Sequence, residues 1–192
     1  MTFSIKWTFP SSFPDLTCIG LIVSVALIRV LVSFFSNDIR VKWPNDIIFD
    51  NKKLAGILIE GKKGADGSFV AIIGIGINFK LSNSIKMELD NKVTDLYEIT
   101  GQVLDRNFIF GLVLQELVKV LRKFEQSGFA SFQNEWIEYH AYQGKFVRLI
   151  LPGDMEVQGV VRGINHDGSI YLETSNGYES FNIGEISLRY SE

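Results

Sequence analysis

Residues 39–60 read IRVKWPNDIIFDNKKLAGILIE, two apolar runs joined by the turn-rich residues Asp50-Asn51-Lys52. A third apolar run follows the glycine-containing segment 61–67. Runs that are rich in β-branched residues and bounded by turn residues predict strands. The chain is therefore expected to form an antiparallel meander from Ile39–Phe49, Leu54–Glu60 and Phe69–Asn78.

The first run contains a break at Trp43-Pro44-Asn45-Asp46, where a proline, an amide and a carboxylate replace the apolar residues of a central strand. Such a break can aim side chains at a ligand, and it can equally be a plain edge bulge. A hairpin about Asn51 would bring Lys53 close to Asp46. The two charges would then form part of a site, or an exposed pair worth less than about 1 kcal/mol.

The third run ends in Gly74-Ile75-Gly76-Ile77-Asn78, two glycines around a single residue. Glycine at such a position permits close approach of a ligand to the backbone. The third glycine of the dinucleotide-binding fingerprint is absent and no helix obviously follows, so a Rossmann assignment is rejected. Asn78 remains as a polar side chain at the strand end.

Further strands and helices are predicted on both sides of the meander. Met1–Phe9 alternates apolar and polar residues as a half-buried strand does, and an apolar helix follows to about Phe35, capped by Ser12 or Asp15. Asp105 is predicted to cap an amphipathic helix from Arg106 to Gln126 that covers one sheet face.

After Gly144 the sequence changes to short apolar runs separated by turn dipeptides. This spacing predicts a small β-barrel, with a domain boundary near residues 142–144. The predicted strands are Phe146–Leu151, Val157–Ile164, Ile170–Glu173 and Glu179–Leu188.

Leu16–Phe35 is apolar at nearly every position and, at 20 residues, is long enough to cross a bilayer. Arg29 lies near its centre, where an arginine costs a few kcal/mol on insertion. A helix buried on most of its surface is therefore the favoured interpretation. A small membrane-associated protein is kept as a third alternative.

The composition is that of a packed globular protein, with 192 residues, 46% hydrophobic and 21% charged. The net charge of -3 gives no bulk positive field, so nucleic acid is not expected as a partner. The single cysteine, Cys18, is assigned to core packing, and no cleavable leader is recognised, so we expect a cytoplasmic protein. No metal is assigned to His140 or His166. The acids between residues 88 and 98 are likewise not assigned to a metal and are interpreted as solvated.

Three motifs together resemble the catalytic domain of biotin protein ligases, in this order and at this spacing: Lys42–Asp46, Lys53–Leu58 and Gly74–Asn78. The closing segment Gly184–Arg189 is similar to part of that family's C-terminal SH3-like barrel. The resemblance implies an α+β fold, in which residues 1–142 form a mixed or antiparallel sheet packed with helices, as in class II synthetase-like ligases. Residues 143–192 would form the SH3-like domain.

The resemblance also implies two half-reactions. The biotin carboxylate attacks the α-phosphate of ATP, with Mg²⁺ present, and gives biotinyl-5'-AMP and pyrophosphate. A lysine of the biotin carboxyl carrier protein of acetyl-CoA carboxylase then takes the biotin. By similarity, Lys53 would hold the biotin carboxylate and then the adenylate phosphate, and Asp46 would orient the carrier lysine and take its proton.

The remaining site residues are assigned by similarity alone. Gly56 and Leu58 would line the biotin pocket, Gly74 and Gly76 would admit the ligand to the backbone, and Asn45 and Asn78 would address nucleotide phosphates and metal. Trp43 and Pro44 mainly support the turn, with stacking of Trp43 on a ligand as a lesser role. Arg189 and Glu185 would reach the nucleotide from the barrel.

The family carries a Gly- and Arg-rich loop upstream of the matched region, and Met1–Phe9 aligns just after it. Without that loop we expect an unpaired sheet edge and an uncovered apolar face. Either the start codon lies upstream, or the gene has decayed and its product is at most a non-catalytic module that binds adenylate or biotin. Repressor function is not predicted, a homodimer through sheet edges is plausible, and the choice of biotin over lipoate depends on the motif match.

Overall fold

The computed structural model describes residues 1–10, 16–151, 155–182 and 187–190, with the backbone alone for residue 16 and for 187–190. The described strands are Thr2–Phe9 (β1), Arg40–Lys42 (β2), Asp46–Phe49 (β3), Lys52–Lys63 (β4), Phe69–Ile77 (β5), Phe146–Ile150 (β6), Glu156–Ile164 (β7), Ile170–Thr174 (β8), Gly177–Phe181 (β9) and Ser187–Tyr190 (β10). The described α-helices are Ile19–Phe34 (α1), Asn83–Glu88 (α2), Leu96–Thr100 (α3), Arg106–Ser127 (α4) and Gln133–Tyr139 (α5). Short 3-10 helices span Leu16–Cys18 and Phe129–Ser131.

The first sheet has the strand order β1-β5-β4-β3-β2, and its paired strands are antiparallel. The predicted meander is confirmed, and so is the break in its first run. β2 and β3 are separate strands that place Lys42 opposite Asp46, joined by a turn that contains the cis Trp43-Pro44 peptide. The polar, exposed side chains of β1 lie on one face and its apolar side chains face the helices, as the alternation predicts.

Helix α1 lies against β4 on one side and against α4 and α5 on the others. Its side chains from Ile19 to Ile28 are all buried, so the apolar segment is a core helix as predicted. The proposed caps Ser12 and Asp15 lie outside the described residues. Among the described helices, none combines the length and apolar character that a bilayer crossing requires.

Arg29 lies where α1, α4 and α5 meet. Its guanidinium donates two hydrogen bonds of 2.6 Å to the carboxylate of Glu135 on α5 and one of 2.8 Å to Glu116 on α4. The hydrogen bond to Glu135 raises the pKa of Arg29, and the contact with Glu116 adds to it against the opposing effect of burial. The charge that argued against a membrane span therefore joins three helices.

Helix α4 begins as predicted, because the Asp105 carboxylate accepts hydrogen bonds from the backbone N–H groups of Asn107 and Phe108. The expectation that α4 covers the sheet needs correction. α1 packs against the central strand β4, and α4 packs on α1 and contacts the outer strand β1 through Phe110 and Phe124. There the Trp7 indole donates a 2.9 Å hydrogen bond to Glu125.

The C-terminal strands form a second antiparallel sheet with the order β10-β6-β7-β8-β9. The predicted single strand Glu179–Leu188 is wrong, because its two ends belong to β9 and β10 at opposite edges of this sheet. The apolar residues of this segment continue in sequence from Phe181 to Leu188, so they do not mark where β9 ends and β10 begins. The other three predicted strands are confirmed, each with one boundary shifted by a single residue.

Candidate active site

The face of the first sheet that points away from the helices, called here the outer face, carries the matched motifs. In the strand register, Asp46 of β3 lies opposite Gly56 of β4, which lies opposite Gly76 of β5 and then Thr2 of β1. The neighbouring row contains Leu58, Gly74 and Ser4. Glycines in both rows leave the floor of this face formed largely by backbone, so a ligand can lie close to it.

Lys53 and Asp46 form an ion pair on this floor, with 2.5 Å between Nζ and Oδ1. The side chain of Lys53 crosses Gly56, where a Cβ atom would lie 2.9 Å from Lys53 Cε and 3.0 Å from Nζ. The predicted approach of the two charges is therefore confirmed, and glycine at position 56 makes it possible.

The pair is accessible and weak. The Lys53 side chain is 46% exposed and that of Asp46 is 22% exposed. Exposed ion pairs contribute less than about 1 kcal/mol, so exchanging this contact for one with a ligand costs little stability. Asp46 Oδ1, the oxygen in contact with Lys53 Nζ, is itself buried, whereas the side chains of both residues are partly exposed. Both charged groups can thus exchange this contact for one with a substrate.

The backbone of Lys53 is held by the segment that follows α2. Lys53 N donates to Lys92 O over 2.9 Å, and Thr94 N donates to Lys53 O over 3.0 Å. The next residue, Asp95, anchors this segment, since its carboxylate accepts the backbone N–H groups of Leu81 and Glu98. These long-range contacts have no signature in the sequence.

Asp95 was interpreted as a solvated acid, and this is wrong, because it is 1% exposed. Burial alone would raise the pKa of Asp95, but hydrogen bonds from Lys86 and from two backbone amides outweigh burial and hold the pKa below its usual value. Asp95 also caps α3 through Glu98 N. Its burial gives a stable base to the strand segment that carries Lys53.

Asn45 and Asn78 lie on either side of Lys53 and bind backbone. Asn45 Nδ2 donates to Ile57 O over 2.8 Å, and Asn78 Nδ2 donates to Lys53 O and Thr94 O over 3.2 and 3.0 Å. Both amide nitrogens therefore fix the strands around the ion pair. The predicted role of these residues toward phosphate stays a prediction.

Trp43 is 1% exposed, and its indole N–H donates a 3.1 Å hydrogen bond to Gly168 O in the C-terminal sheet. Burial of the ring favours the supporting role over stacking on a ligand. Arg189 lies in β10, where its backbone is opposite Arg148, and its side chain is not described. Glu185 lies outside the described residues.

A cavity of about 550 Å³ opens beside the ion pair. Besides Asp46 and Lys53 it is lined by polar groups that the sequence motifs did not all indicate, among them Lys42, Asn51 and Lys92. Lys42 belongs to a recognised motif, whereas Lys92 reaches the cavity only through the pairing of its segment with Lys53. Among the described residues, no cluster of three or more His, Cys, Asp or Glu side chains has the arrangement of a metal site.

The outer face is also open and partly apolar. Leu58 is 62% exposed and Ile72 is 37% exposed, and a cavity of about 780 Å³ lies farther along the same face beside Glu60 and Val70. Leu58 lies next to Gly74, where the motif match places the biotin pocket.

Two family models match the chain. Residues 1–78 match the biotin/lipoate A/B protein ligase family, and residues 143–189 match the biotin protein ligase C terminal domain. The first match contains the Lys53–Asp46 pair and the glycine rows, and the second contains β6 to β9. Two segments of the chain are therefore similar to parts of biotin protein ligases, one in the first sheet and one in the C-terminal sheet.

Curated relatives agree with this similarity. The chain is 35% identical over 176 residues to the bifunctional ligase/repressor BirA of Escherichia coli, covering 91% of this chain and 54% of that protein. It is 25% identical over 151 residues to the biotin--[acetyl-CoA-carboxylase] ligase of Paracoccus denitrificans, covering 77% of this chain and 62% of that protein. The chain thus spans about half the length of the E. coli relative.

Solved structures share the α+β fold. The apo biotin protein ligase from Aquifex aeolicus superposes with a TM-score of 0.82 at 29% identity, over 99% of this chain and 83% of that chain. The same Aquifex enzyme in complex with biotin and ATP gives a TM-score of 0.80 at 27% identity, over 99% and 79% of the two chains. The helix-packed first sheet and the C-terminal SH3-like sheet are therefore those of a biotin protein ligase fold.

Proposed function

We propose that this chain is an ATP-dependent biotin-[biotin carboxyl carrier protein] ligase. The observation that carries this proposal is the Lys53–Asp46 ion pair, which lies on a glycine-lined floor that an extended ligand can approach. The Aquifex relative in complex with biotin and ATP supports these two compounds as the substrates. Two curated relatives, from Paracoccus denitrificans and Mycobacterium tuberculosis, are named biotin--[acetyl-CoA-carboxylase] ligase, which is the activity proposed here.

In the first half-reaction an oxygen of the biotin carboxylate forms a bond to the α-phosphorus of ATP. The bond from that phosphorus to the bridging oxygen breaks, and pyrophosphate leaves. The negatively charged carboxylate and the phosphates of ATP approach each other, and in the transition state negative charge spreads over the phosphate oxygens. A nearby cation therefore lowers the barrier. Lys53, whose ammonium group is half-exposed and weakly paired, supplies that cation first to the carboxylate and then to the adenylate.

In the second half-reaction the carrier lysine amine attacks the acyl carbon of biotinyl-5'-AMP. A C–N bond forms, the bond from the acyl carbon to the phosphate oxygen breaks, and AMP leaves. The amine must lose a proton, because a lysine is mostly protonated near neutral pH. The Asp46 carboxylate, whose side chain is 22% exposed beside Lys53, orients the amine and takes the proton.

Biotin would lie on the outer face, with its ring system against Leu58 and the backbone of Gly74 and Gly76. The exposed Leu58 side chain offers apolar contact, and the atoms nearest to a Cβ atom at Gly74 would be those of Leu58 and Ser4, at 3.6 Å or more. Space that a side chain would otherwise fill is thus open to a ligand. The carboxylate end would point toward Lys53.

Mg²⁺ is proposed as a companion of ATP. Magnesium usually keeps several waters and binds substrate phosphates with few protein oxygens, so the lack of an acidic cluster among the described residues fits this mode. Asn45 and Asn78 would hold it through their side-chain oxygens, because their amide nitrogens donate to the backbone. The metal would neutralise charge on the phosphates.

The carrier protein of acetyl-CoA carboxylase is the proposed macromolecular partner, and a reducing cytoplasm is the proposed location. We further propose a division into a catalytic domain of residues 1–142 and an SH3-like domain of residues 143–192. The start of the C-terminal family match at residue 143 supports that division. The outer position of β1 in the first sheet supports a homodimer through sheet edges as a further possibility to test.

Replacement of Lys53 tests the proposal directly. We expect Lys53→Met to lower biotin-dependent release of pyrophosphate from MgATP by about a hundredfold or more, the cost of losing one preorganised charge donor. Lys6→Met is the matched control, since Lys6 is an exposed lysine on the same face in the outer strand, and it should stay within twofold of the wild type.

Absence of biotin-dependent pyrophosphate release from the wild-type protein would count against the enzyme. Calorimetry with biotinyl-5'-AMP then distinguishes the alternative, because binding without turnover indicates a non-catalytic module. Equal loss in both lysine variants would contradict the specific role of Lys53.

A further inference from the structure

Residues of the β7–β8 turn in the C-terminal sheet accept hydrogen bonds from the 3-10 helix Leu16–Cys18, which directly precedes α1. Cys18 Sγ donates to His166 O over 3.3 Å, and Thr17 Oγ1 donates to Asp167 O over 2.8 Å. These two carbonyl oxygens are consecutive along the chain, and each accepts a hydrogen bond from a side chain in the helix layer of the first sheet. The turn is therefore seated on the first domain by its backbone.

The third carbonyl in succession, that of Gly168, accepts the indole N–H of Trp43 over 3.1 Å. Gly168 has a φ of +85°, and a Cβ atom there would lie 3.2 Å from both Cys18 Sγ and Leu21 Cδ1. Glycine is thus suited to this position both by its backbone conformation and by the close approach of α1. Three consecutive peptide units of one turn contact the first domain.

The turn is internally fixed. Gly168 N donates to Asn165 O over 3.0 Å, and the Asp167 carboxylate accepts both the backbone N–H and the hydroxyl of Ser169. The hydroxyl of Ser169 is the main reason that the pKa of Asp167 is lowered. A turn with these bonds can act as a rigid support for what it contacts.

Trp43 transmits this support to the ion pair. It begins the turn whose far end is Asp46, opposite Lys42 in the β2–β3 ladder. Asn45, between them in sequence, exchanges two hydrogen bonds with Ile57 of β4, one from each partner's nitrogen. The turn is thus held at its start by Gly168 and at its end by β4, and Asp46 follows directly.

We propose that the β7–β8 turn of the C-terminal domain positions Asp46, through the Trp43–Gly168 hydrogen bond, for the transfer of biotin to the carrier lysine. This inference rests on the proposed function. Trp43 is then a positioning residue, since its ring is buried. The C-terminal domain acts on the chemistry by contact with the β2–β3 turn.

Trp43→Phe tests this inference, because it removes the N–H group and keeps a buried aromatic ring. Trp136→Phe is the matched control. Trp136 is fully buried, and its indole donates a 3.1 Å hydrogen bond to Ser24 of α1 rather than to the β7–β8 turn. Both variants lose one buried indole hydrogen bond, so thermal unfolding verifies that each is folded and shows how far each is destabilised.

Single-turnover transfer from preformed biotinyl-5'-AMP to the carrier is the first measurement. We expect Trp43→Phe to lower the rate constant at saturating carrier about tenfold with the carrier KM within twofold, and Trp136→Phe to leave both within twofold. Thr17→Val, which removes the donor to Asp167 and leaves the indole, should lower the rate constant less than Trp43→Phe does. An equal effect of the two tryptophan variants, or a change in KM alone, would overturn the inference.

Amide hydrogen exchange at Ile57 is the second measurement and needs no activity. The Ile57 N–H donates to Asn45 O over 2.9 Å, so it reports on the far end of the turn. Trp43→Phe should accelerate its exchange at least tenfold relative to Trp136→Phe, and unchanged exchange would refute positioning by Trp43. If the wild type transfers no biotin, the proposed function fails, and the exchange comparison still decides whether the C-terminal domain holds the turn.

Discussion

Lys53 reaches Asp46 by lying across Gly56, and the pair is accessible to a ligand because the Lys53 side chain is 46% exposed. A structural ion pair would be expected to be buried and surrounded by further hydrogen bonds, as that of Asp95 with Lys86 is. The contrast between these two pairs separates their roles. The Asp95–Lys86 pair fits a structural role, whereas the Lys53–Asp46 pair leaves its charges accessible to the proposed ligand.

Asp46→Asn should separate the two half-reactions. The amide cannot take a proton, so transfer to the carrier lysine should fall by about a hundredfold or more, the usual range for a lost general base. Release of pyrophosphate in the first half-reaction should change only a few-fold, because Lys53 remains. Asp50→Asn is the control, since it removes a charge from the exposed β3–β4 turn at a φ of +48° that Asn accepts readily.

A rapid-quench assay that follows each half-reaction makes this comparison. A loss of both half-reactions together in Asp46→Asn would contradict the assignment of Asp46 to the transfer step. A loss in Asp50→Asn would show that charge near the hairpin, and not the position of the carboxylate, is what matters.

At the scale of elements, an ionic contact of Arg29 with Glu116 and Glu135 joins α1, α4 and α5 within an otherwise apolar helix layer. Arg29 is 31% exposed, and its partners Glu116 and Glu135 are 17% and 28% exposed, so all three charges are partly desolvated. Bidentate pairing of a guanidinium with a carboxylate is among the stronger ionic contacts. The network therefore fixes the relative positions of α1, α4 and α5 more than an open surface pair would.

Arg29→Met should lower the free energy of unfolding by about 1–3 kcal/mol, because it leaves two partly buried carboxylates without their cation. Lys119→Met removes the other cation near Glu116, but this lysine is 60% exposed, so its loss should cost less than about 0.5 kcal/mol. Urea unfolding at one pH measures both variants. Equal destabilisation would contradict the view that the three-helix contact is special.

At the scale of the whole molecule, the junction between the two sheets contains His140. It is 5% exposed, its ring stacks on Trp136 with 4.7 Å between centroids, and neither ring nitrogen has a hydrogen-bond partner among the described residues. Burial lowers the pKa of His140 to about 3, and the charge of Lys145 adds to this. The imidazole is therefore neutral in the folded protein.

This residue predicts a pH dependence of stability. Below about pH 6.5 the unfolded chain protonates His140 and the folded chain does not, so the unfolded state binds more protons and stability falls as the pH is lowered. Between pH 6.5 and pH 5 the loss should be about 2 kcal/mol. Carboxylates with lowered pKa values, such as that of Asp95, lose their contribution mainly below this window.

Urea unfolding at pH 7, 6 and 5 measures this dependence. His140→Phe keeps the stacked ring and removes the titration, so its stability should be nearly constant over the window. His166→Gln is the control for the loss of a histidine, since His166 is exposed. A wild-type slope that persists in His140→Phe would refute the assignment.

Much of this architecture was predictable from local patterns. Alternation in β1, the Asp105 cap of α4 and the break at Pro44 each follow from a short stretch of sequence, and the hairpin at Asn51 is enough to bring Lys53 to Asp46. Long-range pairings were not predictable in this way. The burial of Asp95 and the approach of Lys92 to the site depend on contacts between segments distant in sequence, and so does the seating of the β7–β8 turn.

Helix α1 has almost no solvent-facing surface of its own, since its first ten residues are all buried. Until the sheet, α4 and α5 surround α1, a newly synthesised chain exposes this long apolar segment to solvent. Such a species would stick to itself at high concentration, because exposed apolar stretches drive association during folding. Yield during expression should accordingly depend on temperature and on the supply of chaperones more than on the intrinsic solubility of the finished molecule.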